Sequence, residues 1–211
     1  MFLTLDRGQH WIQLKNNLPT VAVRAMAIQE RERELVAGTF GRAIWVIDIA
    51  PFEEMTPRVL DQPAYVFEIK PGTLFKTRFT YGATIEELNG DMFFRAENPP
   101  YGTTITYYLG SDVGKEVTLV IKDGSGKSVR TLTGPGSTGI HRVNWDLKRQ
   151  ERITDAQAEL AGVTTISERE ALDRVPAGKY SVVLDTGKAQ LTKEVIVRPE
   201  PQSPPITDVR K

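Results

Sequence analysis

The stretch from Val117 to Leu132 constrains this chain most. Residues 117–122 are a β-branched and aliphatic run with apolar side chains at every second position from Val117, Asp123-Gly124-Ser125-Gly126 interrupts them, and residues 128–132 resume the strand pattern. A period of two on either side of an Asp/Gly turn specifies an antiparallel β-hairpin. The same punctuation recurs. Residues 103–109 are β-branched and aromatic, and Gly134-Pro135-Gly136-Ser137 precedes a further run over 139–147. Residues 180–184 and 192–197 face each other across Asp185-Thr186-Gly187. Short strands separated by turn residues at such intervals predict an antiparallel β-sandwich over 92–198. Residues 148–174 break the pattern; they are charged and helix-compatible, with Asp155 and Ser167 as expected N-caps, and read as an insertion between strands.

The N-terminal fifty residues are also strand-rich. Residues 21–28, 35–39 and 43–49 are valine- and isoleucine-rich runs, and Gly38 and Gly41 flank a bend at Thr39-Phe40. The charged run 30–34 reads as a solvated turn. Ahead of these lies Thr4-Leu5-Asp6-Arg7-Gly8-Gln9-His10-Trp11. Here the Asp6 carboxylate can accept bonds from turn amides, and the Thr4 hydroxyl can bond back across the loop. Gly8 can take positive φ and Trp11 can pack under the turn. Residues 51–91 read as an ordered connector with a short helix near 51–60. The tail 199–211 carries four prolines and reads as extended or disordered.

That octapeptide matches the Asp-box pattern, Ser/Thr-x-Asp-x-Gly-x-x-Trp, at Thr4, Asp6, Gly8 and Trp11. Together with Asn17-Leu18-Pro19 and Leu35-Val36-Ala37-Gly38-Thr39-Phe40-Gly41-Arg42-Ala43-Ile44-Trp45, residues 1–50 resemble the end of Asp-box (BNR) propellers of the sortilin and xyloglucanase type. Glu97-Asn98-Pro99-Pro100-Tyr101-Gly102 resembles the start of the accessory domain in bacterial sortilin-like proteins of the glycosyl-hydrolase type. Residues 117–126, Gly139–Asp146 and Pro176-Ala177-Gly178-Lys179-Tyr180 resemble the immunoglobulin-like domain of the flagellar hook-capping protein. The resemblance implies an all-β chain: partial propeller blades with an Asp-box, followed by an Ig-like antiparallel β-sandwich. A four-stranded blade takes about 40–45 residues, so residues 1–50 amount to one blade split across two neighbours.

Function is less constrained. The 27 basic and 27 acidic side chains balance, which gives no long-range pull toward nucleic acid. With no cysteine and only His10 and His141, neither a disulfide framework nor a metal centre is expected, and no cofactor is implied. No run reaches the ~18 apolar residues of a membrane span. Residues 1–13 lack the basic and apolar regions of a signal peptide, while the resemblance implies an extracellular or periplasmic location.

Asp6 reads as structural, and no catalytic residue is assigned. Arg42 can reach an acidic ligand, although a salt bridge or carbonyl contact is the commoner role for such a residue. Tyr101, Tyr107 and Tyr108 offer either a stacking face for carbohydrate or ordinary strand packing; Trp45 and Trp145 read as core. Glu53-Glu54 and Glu86-Glu87 are adjacent pairs, unlike the opposed carboxylates of a glycosidase. The expectation is a non-catalytic structural and binding region whose partners are the remaining propeller blades or another protein chain, with carbohydrate as a further candidate. The alternative is a part of a glycoside hydrolase acting on polysaccharide, its active site mainly outside this chain.

Overall fold

The computed structural model describes residues 1–14, 17–18, 20–75, 99–163 and 171–201. The expectations attached to Glu86, Glu87, Ser167, the boundary near residue 92 and most of the proline-rich tail lie outside these residues.

The described chain is all-β with a few short helices. β1 (Phe2–Leu3) and β2 (Ile12–Gln13) pair as a hairpin around the 4–11 turn. β3 (Val23–Gln29), β4 (Glu34–Thr39) and β5 (Ile44–Asp48) form an antiparallel meander in sequence order. The charged run between β3 and β4 is a turn, as its composition predicts. A register shift between Val23 and Ala25 sits opposite Gly38 and Thr39, beside the expected bend. The helical signal of the connector resolves into α1 (Ala50–Glu54) and α2 (Pro57–Leu60). Each carries proline in its first turn, where the missing N–H costs nothing.

The remaining strands form two sheets around one core. The first is β10-β9-β12-β13-β7, built from β7 (Gly72–Thr73), β9 (Val117–Lys122), β10 (Ser128–Gly134), β12 (Gly178–Asp185) and β13 (Gln190–Arg198). The second is β11-β8-β6, built from β6 (Ala64–Val66), β8 (Thr103–Leu109) and β11 (Gly139–Trp145). All pairings are antiparallel except β13 with β7. β10 lies beside β11 and β6 beside β13, so the strands curl around the core as a half-barrel.

Alternation dictates which side chains fill that core. Val117, Leu119 and Ile121 of β9 and Val182 and Leu184 of β12 are completely buried, as are Ile105, Tyr107 and Leu109 of β8. Each fully buried Val, Leu or Ile contributes roughly 1.5–3 kcal/mol relative to exposure. Trp145 closes one end of the core. It is fully buried, its ring meets that of Tyr180 edge-on at 5.5 Å, and its Nε1 donates to the Lys148 carbonyl at 3.2 Å. Gly102, at φ 117°, passes so close that a Cβ there would stand 1.9 Å from the Trp145 carbonyl oxygen.

The excursion after β11 contains α3 (Asp155–Leu160). Its N-cap is Thr154, not the expected Asp155. Thr154 is extended and its hydroxyl accepts from the Gln157 amide, while the Gln157 side chain accepts from the Thr154 amide. This reciprocal box satisfies two otherwise unpaired helix-end donors, leaving Asp155 in the first turn where its charge suits the helix dipole.

Candidate functional site

The 4–11 turn is organised by Asp6 and Thr4. The Thr4 hydroxyl donates to Asp6 Oδ1 at 2.9 Å and accepts from the Gly8 amide at 2.7 Å. Asp6 Oδ1 accepts from the His10 amide at 2.8 Å, and Oδ2 pairs with the His10 ring. The His10 amide, and then its ring, hold the Asp6 carboxyl down to about 2, well below its ordinary value. Gly8 adopts φ 92°, a conformation that glycine takes without steric cost.

Trp11 departs from expectation. It is 62% exposed rather than packed beneath the turn. Its indole lies over Gly8 and donates to the Gly8 carbonyl at 3.1 Å. Flanking strands of only two residues give it no further surface to bury against.

The meander presents a larger anomaly. Its register places Met26, Ala37 and Trp45 on one face with Ile28, Leu35 and Ile47, and puts Ala25, Ala27, Val36, Ile44 and Val46 on the other. Both faces are therefore apolar. Met26 and Ile28 are exposed on the first, Ile44 and Val46 on the second, each by more than half. A monomeric protein rarely leaves such contiguous apolar surface open. Sheets apolar on both sides belong between two other layers.

A seam of charge ties this meander to the rest of the chain. Arg33, at φ 54°, turns back so that its guanidinium reaches Glu53, Glu54 and Glu68 and the Ala50 carbonyl. The hydrogen bond from Arg33 to Glu53 leads the interactions that raise its pKa further. Lys70 bridges Asp48 at 3.0 Å and Glu34 at 3.9 Å, and Arg142 donates to the Asp48 carbonyl. These partners lie far apart in sequence, and only their opposite charges were legible there.

Arg42 is exposed at the tip between β4 and β5. Its carbonyl accepts from Trp45 Nε1 at 2.8 Å, and its side chain makes no hydrogen bond or ion pair. Trp45 is half-buried. The three tyrosines do not form a shared stacking face. Tyr107 is buried, donates to the Pro135 carbonyl, and is pushed up to about 12 by burial. Tyr108 donates to Leu60 and packs on the separate cluster of Met55, Val59 and Phe67; Tyr101 lies beneath the Arg174 guanidinium. Alternation along β8 sends Tyr107 and Tyr108 to opposite faces, which excludes a common platform. Glu53 and Glu54 serve Arg33. His141 bonds the Ser137 carbonyl. Among the described residues no cluster of three metal-ligating side chains occurs, and no helix is long and apolar enough to cross a membrane.

No family model matches the chain, and no curated protein matches it. Among solved structures it is similar to PorZ, an essential bacterial surface component of the type-IX secretion system of Porphyromonas gingivalis, at 16% identity and a TM-score of 0.31. That match covers 83% of this chain and 16% of the other, so the chain spans about 16% of the length of the protein it matches.

Proposed function

We propose that this chain is a non-catalytic structural and binding region of an extracellular or periplasmic Asp-box propeller protein. In this reading the meander β3–β5 stacks between neighbouring blades, the 4–11 turn is an Asp-box, and the two-sheet unit is an Ig-like domain bracing the ring. The carrying observation is the meander with exposed apolar side chains on both faces. A blade is a sheet covered on both sides by its neighbours, and that environment suits this residue pattern. The turn geometry of Thr4, Asp6 and Gly8 supports the same reading.

The partners are then further blades. Light scattering after size exclusion, combined with hydrogen exchange on the purified chain, tests this. The expected result is self-association or rapid exchange through residues 23–48, with slow exchange in β8, β9 and β12. A monomer with slowly exchanging amides throughout residues 23–48 would overturn the proposal.

A further inference from the structure

A half-open groove of about 560 Å³ lies between the β9–β10 turn and the excursion after β11. It lies within the usual range for small-ligand pockets, roughly 300–1,000 Å³. Its apolar lining comes from Val129, Ile153, Val175, Pro176 and Tyr180. The Tyr180 hydroxyl is already committed to the Pro176 carbonyl at 2.8 Å, so it adds no free donor.

The charges around this groove are unusual. Lys127 comes from the hairpin turn on one wall, and Arg149 and Arg152 from the excursion on the other. All three are exposed, and among the described residues none of their head groups makes a hydrogen bond or ion pair. Two carboxylates share the lining. Asp123 is occupied by its own turn, accepting from the Ser125 hydroxyl at 2.6 Å and from the amides of Ser125 and Lys127 at 2.9 and 3.1 Å. Those bonds, led by the Ser125 hydroxyl, hold Asp123 below the ordinary carboxylate range. Glu151 pairs with neither arginine. The side-chain oxygens of Gln150 and Gln157 are occupied, accepting from the Thr131 and Thr154 amides. The cationic donors of the groove thus come from both walls.

We infer that this groove binds a small oxyanion-bearing ligand, its phosphate or carboxylate held between Lys127 and the two arginines and its body against Val129, Ile153 and Pro176. The guanidinium fork matches the paired oxygens of either anion. This inference is independent of the propeller reading.

The test is a two-dimensional NMR titration of the full chain with glucose 6-phosphate, glucuronate and glucose. At least one anionic sugar should give saturable shifts at residues 123–129 and 149–153 below about 20 mM, while glucose gives none. Which anion binds identifies the source of the oxyanion. The double variant Arg149→Gln/Arg152→Gln should weaken that binding by about tenfold or more. Both side chains are exposed, and unchanged amide shifts in β8 and β12 would verify its fold. Arg42→Gln, a free cation elsewhere, should leave binding unchanged. The inference is overturned if neither anion saturates, if glucose binds equally, if the Arg42 variant weakens binding as much as the double variant, or if chloride at matched ionic strength reproduces the shifts.

Discussion

Trp145 offers the sharpest test of how the two-sheet unit is held together. Replacing it with alanine removes a fully buried indole, its edge-on contact with Tyr180 and the donor to the Lys148 carbonyl. Large-to-small changes at buried aromatics cost about 3–5 kcal/mol, rising with the cavity that remains. Collapse is limited here because the backbone of Gly102 already lies against that of Trp145 and the facing Tyr180 is tethered by its hydroxyl. The upper half of that range, about 4–5 kcal/mol, is therefore expected. For a cooperative unit of about 100 residues, each kcal/mol shifts the melting temperature by roughly 4–8 °C, so a loss of about 16 °C or more follows. Trp145→Phe retains most of the apolar burial and should cost about 1–2 kcal/mol. Urea unfolding followed by far-UV circular dichroism measures both, since the remaining tryptophans, Trp11 and Trp45, lie outside this unit. Hydrogen exchange should show β9 and β12 destabilised together while the meander is unchanged. A loss below about 1 kcal/mol for the alanine variant would refute the packing argument.

Gly102→Ala should be more damaging than its size suggests, since the new Cβ meets the Trp145 carbonyl and the residue must hold φ 117°. A cost of about 3 kcal/mol or more is expected, visible as lost soluble yield or a lowered urea midpoint. Because the Asp6 carboxyl is held at about 2 in the folded turn, below its unfolded value of ~3.9, its contribution is fully present above the unfolded value. It disappears as pH falls through about 2. Exchange of the His10 amide, corrected for its intrinsic pH dependence, should report that loss, and Asp6→Asn should abolish the transition. Arg33→Ala should accelerate exchange in β4 and β5 without changing β9 or β12, because it removes the clamp onto Glu53, Glu54 and Glu68. Arg33→Lys should restore little, since one ammonium cannot span the three carboxylates.

The legible part of the fold was the part with one buried face. β8 and β9 coincide with the runs read from the sequence, and β10, β12 and β13 differ only at their ends. A one-residue slip in these strands would move every core side chain into water, so pattern and register specify each other. The largely apolar run from Tyr65 continues to Ile69, yet β6 spans only Ala64–Val66. Beyond it, Phe67 turns into the separate cluster with Met55 and Val59, although its amide still bonds the Thr106 carbonyl. The parallel pairing of β13 with the two residues of β7 left no pattern to read, because a period needs more than one repeat.

The meander shows why function was harder to read than fold. Its alternation is blurred because Ala25 and Ala27 on one face are interleaved with Met26 and Ile28 on the other. From sequence alone this looks like a weak strand. Given the register, it is a strand that presents apolar side chains on both faces. The groove is the converse case. Lys127, Arg149 and Arg152 lie on segments that each read as an ordinary solvated turn or insertion. The fold brings them to one cleft, while the nearby Asp123 carboxylate is drawn into its own turn. A charge pattern along the chain records which cations are present. Only the folded arrangement determines which of them lack an acidic partner, and that difference separates a binding groove from a solvated surface.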